Sequence, residues 1–231
     1  MKNHSKRFKE LKKHILLGVE YDLDTGISCL KTLATAKFGE TFEVHISLNI
    51  DPKNSSQQIR SSLILPHKFN KKQTIAVLTC ESKINYAIKL GATIAGSDDL
   101  IEQIAKNKIN FDILIATYDV SDKLSKISRI LGPKGLMPSP KKGTLTKNLE
   151  QTIFEYSQGK FEYKTDKTGV IHIPFGNINL SNEALKSNFL KIYSSLYRPI
   201  GLKGKYFKSC YICSTMSPSL KISLDSIKKY E

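Results

Sequence analysis

The sequence predicts two domains of mixed class: a discontinuous α+β domain built from residues 1–67 and 159–231, and an α/β domain of residues 68–158 inserted into it. Three observations point there. Strands with a single apolar face stand near both ends of the chain. Between them the pattern changes to short continuous apolar runs separated by helical segments, the mark of a parallel sheet buried on both faces. The two outer parts share one style, so the middle unit interrupts a single domain. At 231 residues, 40% hydrophobic and 25% charged, the chain is long enough for two ordinary cores.

Lys6 to Leu17 reads as a basic amphipathic helix with Phe8, Leu11 and Ile15 on one stripe, and Gly26 to Ala36 as a second with Ile27, Leu30 and Leu33. The cleanest alternation follows: Phe42, Val44, Ile46, Leu48 and Ile50 point one way, and Thr41, Glu43, His45, Ser47 and Asn49 the other. This is a strand with one buried face. Asp51-Pro52 breaks it, and Ile59, Ser61, Leu63 and Leu65 suggest a second strand ending at Pro66. In the middle unit Thr74–Thr79, Thr93–Ala95 and Asp112–Ala116 are strands. Helices run from about Lys83 to Gly91, from the Ser97-Asp98-Asp99 cap to Lys106, and from Val120 to Leu131. The stretch Gly132 to Gly143, with prolines at 133, 138 and 140, forbids continuous helix, and another helix runs from about Lys147 to Gly159. Phe161, Tyr163 and Thr165 lead into the turn Asp166-Lys167-Thr168-Gly169, with Val170–Pro174 as the second arm of a hairpin. Ser181 caps a helix carrying Leu185, Phe189, Ile192 and Leu196, and strands at about Tyr206–Cys213 and Leu220–Leu224 finish the chain.

Thirty-six Lys and Arg against 21 Asp and Glu give a formal net charge of +15, which favours a polyanionic partner. No run approaches the roughly 18 apolar residues of a membrane span, and the basic start Met1 to Arg7 leads into no apolar core of a signal peptide, so neither membrane insertion nor secretion is expected. All but four of the basic residues (Arg7, Arg60, Arg129, Arg198) are lysine, a bias that fits an AT-rich genome better than bidentate recognition. Cys29, Cys80, Cys210 and Cys213 suit a reducing compartment. Cys210-Tyr211-Ile212-Cys213 has C-x-x-C spacing, but on a strand residues three apart face opposite ways and no second Cys/His pair completes a zinc site. Structural thiols and no metal are expected.

Nothing in the sequence demands an enzyme. The glycine-rich stretch lacks the P-loop pattern and follows a helix rather than a strand, and G-x-G-x-x-G is absent. His4, His14, His45, His67 and His172 form no H-E-x-x-H, and none stands by an obvious nucleophile. Asp98-Asp99 reads as a helix-dipole partner. Three surfaces can serve a nucleic acid: the outward face of residues 41–49 beside Lys37-Phe38, the loop Ser214 to Pro218 with its methionine, and residues 123–147, which hold seven basic residues and no acid. Two alternatives stand beside a selective RNA-binding protein. One is a small-molecule enzyme using the carboxyl ends of the inserted strands; the other is a basic protein that binds any nucleic acid through charge.

Ala34-Thr35-Ala36-Lys37-Phe38-Gly39-Glu40-Thr41, Gly132-Pro133-Lys134-Gly135-Leu136-Met137-Pro138, Lys205-Tyr206-Phe207-Lys208-Ser209 and Ser214-Thr215-Met216 together resemble the "L-one" family of ribosomal proteins, the large-subunit stalk protein of bacterial type. Asp51-Pro52-Lys53, Leu65-Pro66-His67, Asp166-Lys167-Thr168-Gly169 and His172-Ile173-Pro174 extend the similarity from about Lys6 to Leu224. The resemblance implies an α+β sandwich from both termini with an inserted Rossmann-like three-layer α/β/α domain, and no catalysis or cofactor. It implies binding to large-subunit ribosomal RNA at the mobile stalk beside the exit site, assistance to the release of deacylated tRNA, and a monomer within the ribosome. Many bacterial members also bind a similar fold in their own messenger RNA and repress translation.

By motif, the family's RNA contacts fall on Lys37, Phe38, Thr41, Glu43, His45, Ser209, Ser214, Thr215 and Met216, with Lys134, Lys141 and Lys142 as a secondary contact. The chain departs from the family at Gly39, at Ser217 and Ser219 where glycines are common, at Tyr118-Asp119, and at His67 to Lys71, where glycines usually form a hinge and a stiffer opening is expected. A positive φ at Ser217 would strain the serine by about 1 kcal/mol or more, or shift Met216. Pro138-Ser139-Pro140, Ile173-Pro174-Phe175-Gly176 and Arg198 to Lys205 are similar to algal plastid members. A plastid ribosome in the chloroplast stroma is the first placement, a bacterial cytoplasm the alternative.

Overall fold

Strict alternation over residues 41–48 yields the central strand of a four-stranded sheet in the computed structural model, which describes residues 5–16, 18–51, 57–69, 73–197 and 206–228. In chain order the elements are α1 (Lys6–Lys13), α2 (Leu23–Leu33), β1 (Thr41–Leu48), β2 (Arg60–Leu63), β3 (Ile75–Leu78), α3 (Glu81–Lys89), β4 (Ile94–Gly96), α4 (Asp98–Ala105) and β5 (Ile113–Thr117). They continue with α5 (Ser121–Leu131), β6 (Leu145–Thr146), α6 (Leu149–Ser157), β7 (Phe161–Lys164), β8 (Val170–Asn177), α7 (Asn182–Tyr197), β9 (Phe207–Ser214), β10 (Leu220–Ile222) and α8 (Leu224–Lys228). The chain divides into one unit of Met1–Ile59, Leu65–Phe69 and Tyr163–Glu231, and another of Arg60–Ile64 and Asn70–Glu162.

The first unit carries the antiparallel sheet β10-β9-β1-β8. Phe42, Val44, Ile46 and Leu48 of β1, Ile171, Ile173 and Phe175 of β8, and Cys210 and Ile212 of β9 are buried, as are Leu23, Ile27, Leu30 and Leu33 of α2 and Leu185, Phe189, Ile192 and Leu196 of α7. Each such side chain contributes about 1.5–3 kcal/mol of burial. Two glycines let the helices lie close. A Cβ on Gly26 of α2 would stand 2.7 Å from Ile222 Cδ1, and one on Gly176 of β8 would overlap Leu185. The result is the two-layer α+β sandwich made by both chain ends.

In the second unit the parallel sheet β4-β3-β5-β6 has helices on both faces. Ala76, Leu78, Leu114 and Ala116 pack with Leu100, Ile104, Leu124 and Ile127 of α4 and α5. Ile75, Val77 and Ile115 pack with Ala87 of α3 and with Leu149, Ile153 and Tyr156 of α6. A strand buried on both sides must be apolar throughout, which is why these segments read as runs. This is the three-layer α/β/α arrangement.

The structure differs from the sequence reading in four places. α1 ends at Lys13, short of Leu17, which lies outside the described residues. β7 pairs with β2 rather than forming a hairpin ladder with β8; only the bridge Thr165↔Ile171 continues in that direction, although the turn itself closes through Asp166. The two-residue β6 and the terminal α8 are not visible as apolar patterns in the sequence, and the last strand stops at Ile222.

Candidate nucleic-acid interface

On β1 the inward residues are buried and Thr41, Glu43, His45 and Ser47 are half-buried on the outer face. Antiparallel register sets His45 opposite His172 and Tyr211, Glu43 opposite Pro174 and Cys213, and Ser47 opposite Ser209. Directly opposed residues share a face, so these side chains form one polar surface across three strands. Ser209 lies on it, about 20 Å along β9 from Thr215 at 3.3 Å per residue.

Along that face runs a line of polar contacts. His45 Nδ1 is 2.8 Å from His172 Nδ1, His45 Nε2 is 3.1 Å from Cys213 Sγ, and His172 Nε2 faces Asp166 Oδ2 at 3.6 Å. Which ring nitrogen donates in each contact depends on the tautomer. Burial holds His45 below its usual range, His172 adds to this, and Glu43 opposes it. The Val170 N–H and the Thr168 hydroxyl hold Asp166 at about 2. Burial, then Glu43, pushes the Cys213 thiol up to about 11, and burial pushes Cys210 up to about 12. A thiol so far from ionising is no nucleophile at neutral pH.

At the end of the sheet two loops meet. Residues 34–40 carry the exposed Lys37 and Phe38, and the turn 214–217 carries the exposed Thr215 and Met216; Phe38 and Met216 are 54% and 51% exposed. Glu40, fully buried, lies between them. Its Oε1 accepts from Ala36 N–H at 2.9 Å and sits 3.6 Å from Arg7 Nη2. Its Oε2 accepts from the Ser214 hydroxyl at 2.6 Å and Met216 N–H at 3.1 Å. Arg7 also donates from Nη2 to the Met216 carbonyl at 3.2 Å and from Nε to Thr35 Oγ1 at 3.1 Å. Burial would raise the Glu40 carboxyl, but the Ser214, Ala36 and Met216 donors with Arg7 outweigh it and hold the group below its ordinary range. Thr215 N–H donates to Thr41 O and Thr41 N–H to Thr215 Oγ1, both at 3.0 Å, and Ser214 N–H donates to Ser217 Oγ at 2.9 Å. Among the described non-glycine residues only Asn107 has positive φ, so Ser217 is unstrained and its hydroxyl pins the turn.

Ser214 and Lys142, singled out from the sequence, are largely buried with their polar groups on protein partners, and the Thr215 hydroxyl also donates to Thr41 O at 3.2 Å. Ser214 belongs to the inward phase of β9 and spends its hydroxyl on Glu40, so it supports the surface rather than forming it. Lys142 is mostly buried; its Nζ donates to Gly135 O at 2.8 Å and lies 2.9 Å from Glu162 Oε2. Lys134 is exposed on the same loop, with Lys126 and Arg129 exposed on α5, while the side chain of Lys141 lies outside the described residues. Sequence reasoning missed Glu40 and Arg7. The signal was phase: Glu40 shares the even-numbered, inward register of Phe42 and Val44, as Ser214 shares that of Cys210 and Ile212.

The inserted unit offers little to an enzyme reading. Its glycine-rich loop precedes β6 and so lies at the amino edge of the strands, whereas ligands of such sheets sit at the carboxyl edge. At that carboxyl edge the hydroxyls of Thr79 and Thr117 face each other at 3.4 Å, Lys83 pairs with Asp119, and Lys123 pairs with Asp98.

The exposed Phe38 ring and Met216 thioether, on a hydrogen-bonded polar frame beside the exposed Lys37, form a surface of the kind that binds a partner. The comparisons agree with that reading. The chain belongs to the Ribosomal protein L1p/L10e family, whose model matches residues 30–218. It is 48% identical over 227 residues to "Large ribosomal subunit protein uL1c" of Trieres chinensis, covering 97% of this chain and 99% of that one. It is 49% identical, with the same coverage, to the protein of that name from Phaeodactylum tricornutum. "Large ribosomal subunit protein uL1" of Prochlorococcus marinus (strain NATL1A) is 43% identical over 233 residues, covering 99% and 97%. As a member of this family the chain is a ribosomal protein and not an enzyme.

Proposed function

We propose that this chain is a structural constituent of the large subunit of a plastid ribosome. It binds the large-subunit ribosomal RNA at the mobile stalk near the exit site and assists the release of deacylated tRNA. The observation that carries the reading is the loop pair 34–40 and 214–217, which presents Lys37, Phe38, Thr215 and Met216 on a hydrogen-bonded frame. Folded RNA is read by shape, ribose hydroxyls and splayed bases rather than through its deep groove, and an exposed ring, a thioether and hydroxyls suit that task. The outer face with Glu43, His45 and Ser209 continues this surface. Lys134, Lys126 and Arg129, together with Lys141, supply a separate sequence-blind phosphate contact. A matching fold in its own messenger would be bound by the same loops, and repression of translation would follow.

The test is binding of the purified protein to a stalk-junction RNA and to a scrambled RNA of equal length across a salt series. Preference for the junction by orders of magnitude at physiological salt supports the proposal. Equal affinities that collapse together with salt would leave charge alone as the cause.

A further inference from the structure

We propose that Glu40 and Arg7 are positioning residues that lock the two RNA-reading loops into one geometry before RNA arrives, so that selectivity for the stalk junction depends on an ion pair between a buried carboxylate and a partly exposed guanidinium. The inference rests on the RNA-binding reading above. The Glu40 carboxylate holds both loops at once: Ala36 N–H from the first, and Met216 N–H and the Ser214 hydroxyl from the second. Arg7 adds a third element, since its fork joins α1 to Thr35, Glu40 and the Met216 carbonyl. The amide and the carbonyl of Met216 are therefore both fixed, and with them the direction of its exposed side chain.

Glutamine cannot replace Glu40 silently. Its amide group would point either at Ala36 N–H and Arg7 or at Met216 N–H, setting donor against donor. Lysine at position 7 keeps the charge but presents a point donor where three acceptors are now spanned by a planar fork. Arg7→Lys leaves the net charge unchanged and Glu40→Gln makes it one unit more positive, so charge-driven binding should persist in both.

The experiment compares the full-length wild-type protein with Glu40→Gln and Arg7→Lys by amide exchange at Ala36 and Met216 in the free protein. In parallel it measures affinity for stalk-junction and scrambled RNA. We expect exchange at both amides to speed up by about 10- to 100-fold. Junction affinity should fall by a similar factor while scrambled RNA binds as before. Circular dichroism establishes that both variants are folded, and Arg7→Lys keeps the test valid should Glu40→Gln unfold. Unchanged exchange at Ala36 and Met216 in Arg7→Lys would overturn the proposal whatever the RNA does. Faster exchange with unchanged junction preference would also overturn it. If the wild-type protein itself fails to prefer the junction, the functional reading fails; faster exchange in the variants would still establish the lock.

Discussion

Replacing Ser214 by alanine separates a supporting role from direct contact with RNA. The hydroxyl is buried and donates at 2.6 Å to a buried carboxylate, so its loss removes one charge-assisted hydrogen bond among the four groups that face Glu40. A bond of that kind is worth about 1.5–3 kcal/mol. For a chain of this size each kcal/mol shifts the melting midpoint by about 2–4 °C, so Ser214→Ala should melt roughly 3–12 °C lower at pH 7. The pH dependence follows from linkage. Glu40 titrates below its ordinary value of 4.5 in the folded state, so its stabilisation is present above that value and is lost as pH falls through the folded pKa. The gap between wild type and variant should therefore narrow on acidification below about pH 4.5. Thermal melts by circular dichroism from pH 3 to pH 7, with junction affinity measured at pH 7, supply both readouts. Loss of RNA affinity with an unshifted melting midpoint would refute the reasoning, because the hydroxyl would then be serving RNA and not Glu40.

Phe38→Ala and Met216→Ala should leave the melting midpoint within the effect of about ±0.5 kcal/mol usual for surface changes, since both side chains are half exposed. Each should weaken junction binding by about 1–3 kcal/mol if a base stacks there, read by filter binding or fluorescence anisotropy; melting losses larger than the binding losses would count against an interface role. His172→Gln should raise the pKa of His45 by removing the neighbouring imidazole, visible in an NMR titration of the ring protons; an unmoved titration would show that His172 plays no part. Because His45 titrates below its unfolded value, it stabilises the fold above about pH 6.5, and that contribution is lost as pH falls toward the folded pKa. Ser217→Gly should destabilise by about 0.5–1.5 kcal/mol through loss of the acceptor for Ser214 N–H, and a rise in melting midpoint would contradict the unstrained turn.

How far the sequence reveals the molecule differs by element. β1 is legible because one buried face imposes a period of two, and β3 and β5 because burial on both faces imposes continuous apolarity. β6 is two residues long and α8 five, too short for either period to repeat. The partner of β7 is not written in its own residues, since strand pairing is a tertiary choice and the nearby turn suggested β8. Within the interface, Lys37, Phe38, Thr215 and Met216 could be placed on exposed loops. The network of Glu40, Arg7, Ser214 and Met216 joins residues up to 209 apart in sequence and follows from none of them singly. The line of contacts through His172 and Cys213 depends on a register that only the folded sheet supplies.

The central claim, that the loop pair at the end of the first sheet meets the stalk junction, is tested most directly by photocrosslinking. A benzoyl-phenylalanine placed at position 38 in the full-length protein, assembled into plastid-type ribosomes and irradiated, should join to large-subunit ribosomal RNA, with the crosslink mapping to the stalk junction. Crosslinks confined to other ribosomal proteins, or to RNA far from the stalk, would contradict it.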